Sequence, residues 1–305
     1  MEKYVIITPA HNEAAFIEKT IRAMISQTVR PVKWVVVNDG SADQTGEIIK
    51  RYADGFGFIQ LVNLPRDPER NFARKVMAFN RGLAEVKDLA FDFIGNVDAD
   101  MSFAPPYFGN ILQEFEQDPK LGISGGIVYT KFTDQFTTYD YTPDSVGGKV
   151  QLFRRACFTD IGGYRPLKYG GIDATAEIMA RMKGWRVKKS MANPAYEHRP
   201  TGFAYGNPLM AKLREGRRFY SLGYAPMFYL LRCLYRLKEY PAVLGSGAAG
   251  LGYLISLLRR QPVVLPPEVV TYLRAEQRAK LKRVFLPGAT PAAGTPNRDF
   301  QMLVK

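Results

Sequence analysis

The chain has few of the features that mark specialised protein classes. Its two cysteines, Cys157 and Cys233, are too few for a disulfide framework or a zinc cluster, so a reduced, cytosolic setting is the default. Its 27 glycines and 20 prolines follow no period, which excludes collagen. The first residues lack the basic start and long apolar run of a signal peptide. A globular chain of 305 residues remains, enough for one large domain or two smaller ones.

Acidic residues are outnumbered by basic ones. The sequence has 42 Lys and Arg against 29 Asp and Glu, a net charge of +13. Such an excess predicts an acidic partner, either a nucleic acid, an anionic membrane surface or a phosphorylated substrate. The sequence holds no nucleic-acid-binding motif, and its basic residues are not gathered in one stripe. Nucleic acid is therefore a minor alternative, and we expect none among the partners.

Strand-like and helix-like segments alternate over the first 100 residues. Apolar runs at residues 4–8, 33–37 and 91–97 predict buried strands, and periodic segments at 13–27 and 71–86 predict helices. This alternation predicts an α/β fold with a parallel sheet and right-handed crossovers. In such folds, ligands bind at the carboxyl ends of the strands.

Polar residues follow three of the predicted strands. Residues 9–13 follow the first strand, residues 38–43 follow the second, and Asp98-Ala99-Asp100 follows a later one. Because the carboxyl ends of parallel strands meet at one edge, we expect the three clusters to converge on one cleft. Two carboxylates at positions i and i+2 suit a hard cation such as Mg²⁺ or Mn²⁺. Alone, the pair fits a solvated, helix-capping turn better, but its place among the clusters favours the metal.

The polar clusters also form an ordered set of short motifs. The set consists of Pro9, Ala10, Asn12, Glu13, Asn38, Asp39, Gly40, Ser41, Asp43, Thr45, Asp98 and Asp100. Residues 75–83 (KVMAFNRGL) add an A-x-N-x-G-L pattern, and residues 147–164 add a G…FRR…IGGY pattern. Over about residues 3–200, this arrangement resembles the family-2 inverting glycosyltransferases. The resemblance implies the GT-A fold, a Rossmann-like domain that binds nucleotide sugars and has a mixed, mostly parallel sheet flanked by helices. Here a helical C-terminal extension would follow it.

The resemblance implies roles for the acidic residues of the cleft. Asp39 would contact the base of the donor, and Asp98 would face its ribose and metal-bound water. Asp100 would bind the Mg²⁺ or Mn²⁺ that bridges the donor diphosphate. His198 would complete the metal shell, although a polar loop position accounts for this histidine equally well.

The same resemblance places further residues against the nucleotide sugar. Pro9, Asn12 and Glu13 would line the donor site. Arg155 would meet diphosphate oxygens, because arginine presents planar, bidentate donors.

Inverting transfer also requires a base that deprotonates the acceptor hydroxyl. The family places this base as the Asp of a Glu-Asp pair at a helix start, with a glycine about eleven residues later. Asp173 and Gly184 match these two positions. A helix N-cap is the alternative role for Asp173. Ile172 stands where the family has Glu, and Met179 stands where it has Arg. These departures support an alternative function, a nucleotide-sugar-binding protein with impaired catalysis.

The composition changes after about residue 200. Basic and aromatic residues interleave over residues 214–238, which suits a membrane interface. Residues 240–258 have no charge but several glycines, so in-plane or partial insertion fits better than a full span, and a buried soluble hairpin is the alternative. We expect a catalytic domain at 1–200, a membrane-associated helical extension at 201–285 and a flexible tail at 286–305.

Together the patterns and the resemblance predict a metal-assisted, inverting glycosyltransferase of polysaccharide biosynthesis. The donor would be a nucleotide sugar, and the acceptor would be a glycan, a lipid-linked sugar or a protein. The enzyme would act at the cytoplasmic face of a membrane, as a peripheral or partly inserted protein. The sequence does not specify the sugar.

Overall fold

The structure, a computed structural model, describes six stretches of the chain. These are residues 2–67, 72–132, 134–138, 141–199, 207–238 and 241–285. Contacts within the chain divide it into two units. The first unit comprises Met1–Lys168 and Ile172–Thr201, and the second comprises Tyr169–Gly171 and Gly202–Lys305. The predicted tail at 286–305 lies outside the described residues.

Strands and helices alternate in the first unit. The strands are β1 (Tyr4–Ala10), β2 (Lys33–Asp39), β3 (Ile59–Leu64), β4 (Phe93–Asn96), β5 (Met101–Phe103), β6 (Leu121–Phe132), β7 (Gln135–Thr137), β8 (Leu152–Arg154) and β9 (Arg186–Glu197). The helices are α1 (Ile17–Ile25), α2 (Thr45–Ala53), α3 (Ala73–Glu85), α4 (Tyr107–Gln117), α5 (Arg155–Asp160) and α6 (Ile172–Met182).

The described strands form one sheet in the order β3-β2-β1-β4-β8-β6-β9-β5, with β7 paired to β6. Strands β1 to β4 run parallel, and β6 and β9 also pair in parallel. Strand β8 runs antiparallel to both of its neighbours, β4 and β6. The predicted mixed, mostly parallel α/β sheet flanked by helices is thereby confirmed.

The central strands are buried on both faces because helices cover the sheet. Trp34 of β2 has no exposed surface, and its indole Nε1 donates a hydrogen bond to Thr8 Oγ1 of β1 (2.9 Å), which satisfies both buried polar groups. Helix α3 lies directly on this sheet. A Cβ on its Gly82 would be 2.6 Å from Cγ2 of Ile7, so only glycine allows this approach.

The second unit is helical in its described part. Its helices are α7 (Pro208–Ser221), α8 (Pro226–Tyr235), a short 3₁₀ turn (Arg236–Lys238), α9 (Ala242–Leu258) and α10 (Pro267–Phe285). Helices α7 and α9 cross at glycines. A Cβ on Gly216 would be 1.9 Å from the Ala249 carbonyl oxygen, and one on Gly252 would be 2.1 Å from that of Leu213. The two backbones therefore touch directly.

Helix α9 accounts for the uncharged segment predicted at residues 240–258. It begins at Ala242 and has 17 residues. Among the helices in the described part of the chain, none is both long enough and apolar enough to cross a membrane.

Candidate active site

The polar turns after β1 and β2 interlock at the carboxyl edge of the sheet. The Asn12 amide donates to Ser41 Oγ (3.0 Å), and the Asn12 side-chain oxygen accepts from the Ala42 amide (2.8 Å). The Glu13 amide donates to Thr45 Oγ1 (2.7 Å). Asn12 has a φ of 52°, a left-handed conformation that asparagine tolerates better than most residues. The structure thus brings two of the predicted clusters together.

Asp39 ends β2 and is held by an arginine from α3. Arg74 Nε donates to Asp39 Oδ2 (3.1 Å), its Nη2 donates to Asp39 Oδ1, and its Nη1 pairs with Asp67. A carboxylate has about four acceptor positions, so Asp39 keeps capacity for a further donor such as a base N–H. Pro9 lies within β1, in register with Val37 of β2, beside this turn.

Asp98 follows β4 and meets a lysine from α3. Lys75 Nζ lies 2.5 Å from Asp98 Oδ1, which also accepts from Asn96 Nδ2 (2.9 Å). Burial alone would lower the pKa of Lys75, but Asp98, Asp173 and Asp100, in that order of strength, leave it raised. Lys75 therefore pairs directly with Asp98, and the charges of Asp173 and Asp100 also favour its ammonium form.

Asp100 is buried within a cluster of negative charge. Its burial, together with nearby Asp98, Glu13 and Glu197, raises the pKa of its carboxyl to about 7. A cation at this position would favour the ionised form. In the structure, the Arg199 guanidinium lies there, with Nη2 at 2.5 Å from Glu13 Oε2 and Nε at 3.5 Å from Asp100 Oδ2.

The carboxylates of this cluster fit a magnesium or manganese ion. In the described part of the chain, no group of three or more His, Cys, Asp or Glu side chains could hold a metal ion unaided. Mg²⁺ is, however, usually bound by one or two carboxylates together with substrate phosphates and water. Asp100 and Asp98 supply that number of hard oxygen donors.

His198, the other predicted metal ligand, is engaged differently. Its ring Nε2 lies 2.7 Å from Ser102 Oγ, and the ring packs edge-to-face against Phe136. Only its backbone approaches Asp100, with the His198 amide donating to the Asp100 carbonyl (2.9 Å). Burial lowers the pKa of His198, which favours the neutral imidazole.

Asp173, the predicted base, lies in the first turn of α6. Its Oδ2 accepts from the Gly148 amide (3.0 Å), and the Gly148 carbonyl accepts from Asn96 Nδ2 (2.6 Å). Because Asn96 also donates to Asp98, Gly148 and Asn96 link the predicted base to a predicted metal-site carboxylate. A Cβ on Gly148 would be 2.8 Å from Cβ of Asp173, so the glycine is needed for this approach.

Glu177 on α6 holds the segment that carries Gly148. This buried carboxylate accepts from the Val146 amide (2.6 Å), Ser145 Oγ (2.8 Å) and Gln151 Nε2 (3.3 Å). The helix that carries the base thus also fixes the loop that orients it. Met179, where the family has Arg, is buried.

The structure does not bring Arg155 to this site. Strand β8 is antiparallel to β4, so Arg154 pairs with Phe93 at the amino end of β4. The Arg155 amide donates to the Asp92 carbonyl (2.8 Å), and its guanidinium lies 4.3 Å from the centre of the Phe91 ring. Asp98 and Asp100, in contrast, follow the carboxyl end of β4. The expected diphosphate contact of Arg155 is therefore corrected, and we leave this residue out of the site.

Sequence reasoning missed the basic side chains of the site. Arg74 and Lys75 open α3, and Arg199 follows His198. A positional signal was available for Arg74 and Lys75, because this basic pair stands just before the A-x-N-x-G-L pattern.

The family model for glycosyl transferase family 2 matches residues 5–174, more than half of the chain. The chain belongs to this family. The match includes β1, the three polar clusters and Asp173, which are the parts from which the site is built.

Similar proteins agree with this membership. Poly-beta-1,6-N-acetyl-D-glucosamine synthase of Staphylococcus aureus is 23% identical over 214 residues, 62% of this chain and 48% of that protein. The chain thus spans about half the length of this curated relative.

Two solved structures show the same fold. One is the mannosyltransferase PcManGT of Pyrobaculum calidifontis in complex with GDP-Man and Mn²⁺, with a TM-score of 0.54, 15% identity, and coverage of 94% of this chain and 88% of that one. The other is GalNAc-T7 with UDP, GalNAc and Mn²⁺, with a TM-score of 0.58, 12% identity, and coverage of 96% and 59%. The predicted GT-A fold is confirmed.

Proposed function

We propose that this chain is an inverting glycosyltransferase that moves a sugar from a nucleoside-diphosphate donor to a hydroxyl acceptor. The observation that carries the proposal is the hydrogen-bonded link from Asp98 through Asn96 and Gly148 to Asp173, at the carboxyl edge of the parallel sheet. Nucleotides bind at this edge in open α/β folds. Carboxylates linked in this way can serve both donor binding and proton transfer.

The donor lies against the turns after β1, β2 and β4. Asp39 accepts from the base, and Asp98 accepts from the ribose hydroxyls. Pro9, Asn12 and Glu13 shape the wall, since the backbone of the latter two is fixed by bonds to the second turn. Support comes from the structural neighbours, which were solved with GDP-Man or with UDP and GalNAc.

Asp100, with Asp98 beside it, would hold the Mg²⁺ or Mn²⁺ in this proposal. When bound, the ion neutralises charge on the departing diphosphate. Arg199 provides positive charge at Glu13 and Asp100, and it would share Asp100 with the ion. His198 joins the ligands only if its imidazole leaves Ser102.

Asp173 acts as the base. As the acceptor oxygen attacks the anomeric carbon, the bond from that carbon to the diphosphate oxygen breaks, and the acceptor proton passes to the Asp173 carboxylate. The Gly148 amide fixes the orientation of this carboxylate. A single displacement of this kind inverts the anomeric carbon.

The acceptor is a hydroxyl of a glycan or lipid-linked sugar, and the reaction belongs to polysaccharide assembly at the cytoplasmic face of an anionic membrane. The relative from S. aureus is a polysaccharide synthase by name. The charge distribution supports an anionic membrane as a partner. Residues 202–305 hold 16 Lys and Arg against five Asp and Glu, so this part carries +11 of the net +13.

A screen of nucleotide sugars tests the proposal. The full chain is incubated with each donor and Mn²⁺ or Mg²⁺, and release of nucleoside diphosphate is measured with and without EDTA. We expect at least one donor to be consumed only when metal is present, and Asp100→Ala to abolish this consumption. Asp88→Asn, on the exposed surface, is the matched control. Undiminished turnover by folded Asp100→Ala would overturn the proposal.

A further inference from the structure

Helix α9 exposes its aliphatic side chains and buries mainly small and polar ones, the reverse of the usual pattern. Its buried residues are small or polar except for one tyrosine: Gly245, Ala249, Gly252, Tyr253 and Ser256. Its exposed residues include Val243, Leu244, Leu251, Leu254, Leu257 and Leu258, of which Leu244 is 70% and Leu258 is 74% exposed. A helix that faces water has its aliphatic stripe turned inward. The outward leucines of α9 are therefore unexplained by folding alone.

Helix α8 buries Phe228 and Tyr229, but three of its apolar side chains also face outward. Met227, Leu230 and Leu234 are exposed at helical spacing, whereas Arg232 is buried. The Arg232 guanidinium lies 4.6 Å from the centre of the Phe219 ring and 3.9 Å from the Glu215 carboxylate. A buried arginine costs free energy unless it is paired, so this side chain is held inside while leucines on the same helix face out.

We call the exposed apolar side chains of α8 and α9 the apolar face. Helices α8 and α9 pack against each other, and the face comprises Met227, Leu230, Leu234, Val243, Leu244, Leu251, Leu254, Leu257 and Leu258. Clusters of this extent mark interaction surfaces, because isolated exposed leucines are common but whole stripes are not. Arg259 and Arg260 follow directly after the last leucine, and both are exposed.

Charge identifies the partner of the apolar face. The part of the chain that contains it carries a net +11, and α9 has no charged residue among its 17. An anionic phospholipid bilayer satisfies both features, because its acyl region takes aliphatic side chains and its head groups take arginines. A soluble protein partner would need matching apolar and acidic surfaces in the same arrangement.

We propose that the apolar face inserts into the interfacial layer of an anionic bilayer, with α8 and α9 lying in the membrane plane. At about 1.5 Å per residue, α9 is roughly 25 Å long, short of the roughly 30 Å hydrocarbon core. This insertion specifies how the chain would bind the anionic membrane named under the proposed function. It rests on the proposed function only for the place where the enzyme acts. Membrane binding would then be hydrophobic as well as electrostatic, so it would persist at high salt.

Depth-dependent quenching tests the insertion directly. The full chain carrying Leu254→Trp is mixed with phosphatidylcholine–phosphatidylglycerol vesicles whose acyl chains are brominated. We expect quenching of the introduced indole, and none for the matched Met77→Trp, since Met77 is 61% exposed on α3 in the first unit. Membrane-bound protein with an unquenched indole at position 254 would overturn insertion and leave only electrostatic contact.

Vesicle sedimentation in high salt tests the energetics. Leu254→Asp combined with Leu258→Asp should lower binding at least about tenfold, which corresponds to about 1.4 kcal/mol, while Met77→Asp leaves it unchanged. A wild-type chain that fails to bind anionic vesicles overturns the proposal. If such a chain forms a dimer that the double variant abolishes, the apolar face belongs to a second copy. Consumption of nucleotide sugar in solution is measured in parallel, so failure here is separate from failure of the proposed function.

Discussion

In the first unit the aliphatic side chains of β1 and β2 are buried between helices, and Asp39 and Asp98 lie at one edge of the sheet. In the second unit the leucines of α9 are exposed, and Arg232 is buried beside the partly buried Glu215. The charge differs as well, since residues 1–201 carry a net +2 and residues 202–305 carry +11. The two units are therefore built for different surroundings.

This contrast separates two uses of polar residues. In the first unit the candidate site gathers polar residues where strands end, and Asp39, Asp98 and Asp173 each have a named partner. In the second unit Arg232 is buried although other arginines stay exposed, and the outward faces of α8 and α9 are apolar. A change at a polar residue of the first unit should impair chemistry, whereas a change in the second should impair packing or attachment.

The largest effect is expected at the base. Asp173→Asn removes the proton acceptor, so we expect transfer to fall by about 10³-fold with donor affinity retained, within the range for lost general bases. Steady-state rates and calorimetric binding of the nucleotide measure the two separately. A loss of binding with the rate constant kept would assign Asp173 to the donor site instead.

The helix crossing of the second unit should be the next most sensitive position. Gly252→Ala places a methyl group against the Leu213 carbonyl, so we expect a loss of about 3 kcal/mol or more in the stability of this unit. Gly247 of the same helix has nothing within 4 Å of its added Cβ. Gly247→Ala should instead gain about 0.5–1 kcal/mol, because alanine favours helix. Hydrogen exchange of the α7 and α9 amides measures the stability of both variants. Equal effects of Gly252→Ala and Gly247→Ala would contradict the close crossing of the two helices.

A smaller effect is expected where a glycine positions the base. The methyl group added by Gly148→Ala would collide with Cβ of Asp173. The rate constant of sugar transfer should therefore fall about ten- to hundredfold, while the midpoint of unfolding changes little. Gly147→Ala next to it is the control, since its Cβ meets nothing within 4 Å. If both variants turned over at the wild-type rate, the link between Gly148 and Asp173 would not matter for catalysis.

The smallest effect concerns the pH dependence of the second unit. Burial alone would raise the pKa of Glu215, but Arg236, Lys212 and neighbouring arginines outweigh it and lower it. A carboxyl with a lowered pKa stabilises the fold above its unfolded pKa of about 4.3 and loses that contribution as the pH falls through its folded pKa. Acid titration of helix content should show this loss.

Glu215→Gln should remove that acid-dependent step, while Glu268→Gln, at an exposed position, should keep it. An unchanged acid transition in Glu215→Gln would show that other groups govern it.

Long periodic segments could be predicted from the sequence. The helices predicted at 13–27 and 71–86 are present as α1 (Ile17–Ile25) and α3 (Ala73–Glu85), because several turns of apolar periodicity mark them. Strands β5 and β7 were not predicted. Each has three residues, too few for periodicity, and each exists because a distant strand, β9 or β6, pairs with it.

The site was predictable as far as it depends on strand ends. Asp39, Asp98 and Asp100 came together because parallel strands end at one edge. Arg155 lies away from these residues because the strand before it, β8, runs antiparallel to β4, and direction within a sheet leaves no mark in local sequence. Lys75 was missed for a related reason. Its place among the carboxylates depends on how α3 packs on the sheet through Gly82.

The stereochemistry of donor hydrolysis tests the central claim most directly. With an α-linked nucleotide sugar, metal ion and water as acceptor, proton NMR identifies the first anomer released. The account predicts the β anomer first, with release abolished by Asp100→Ala and strongly slowed by Asp173→Asn. Release of the α anomer first, or undiminished release by either folded variant, would contradict single displacement at these carboxylates.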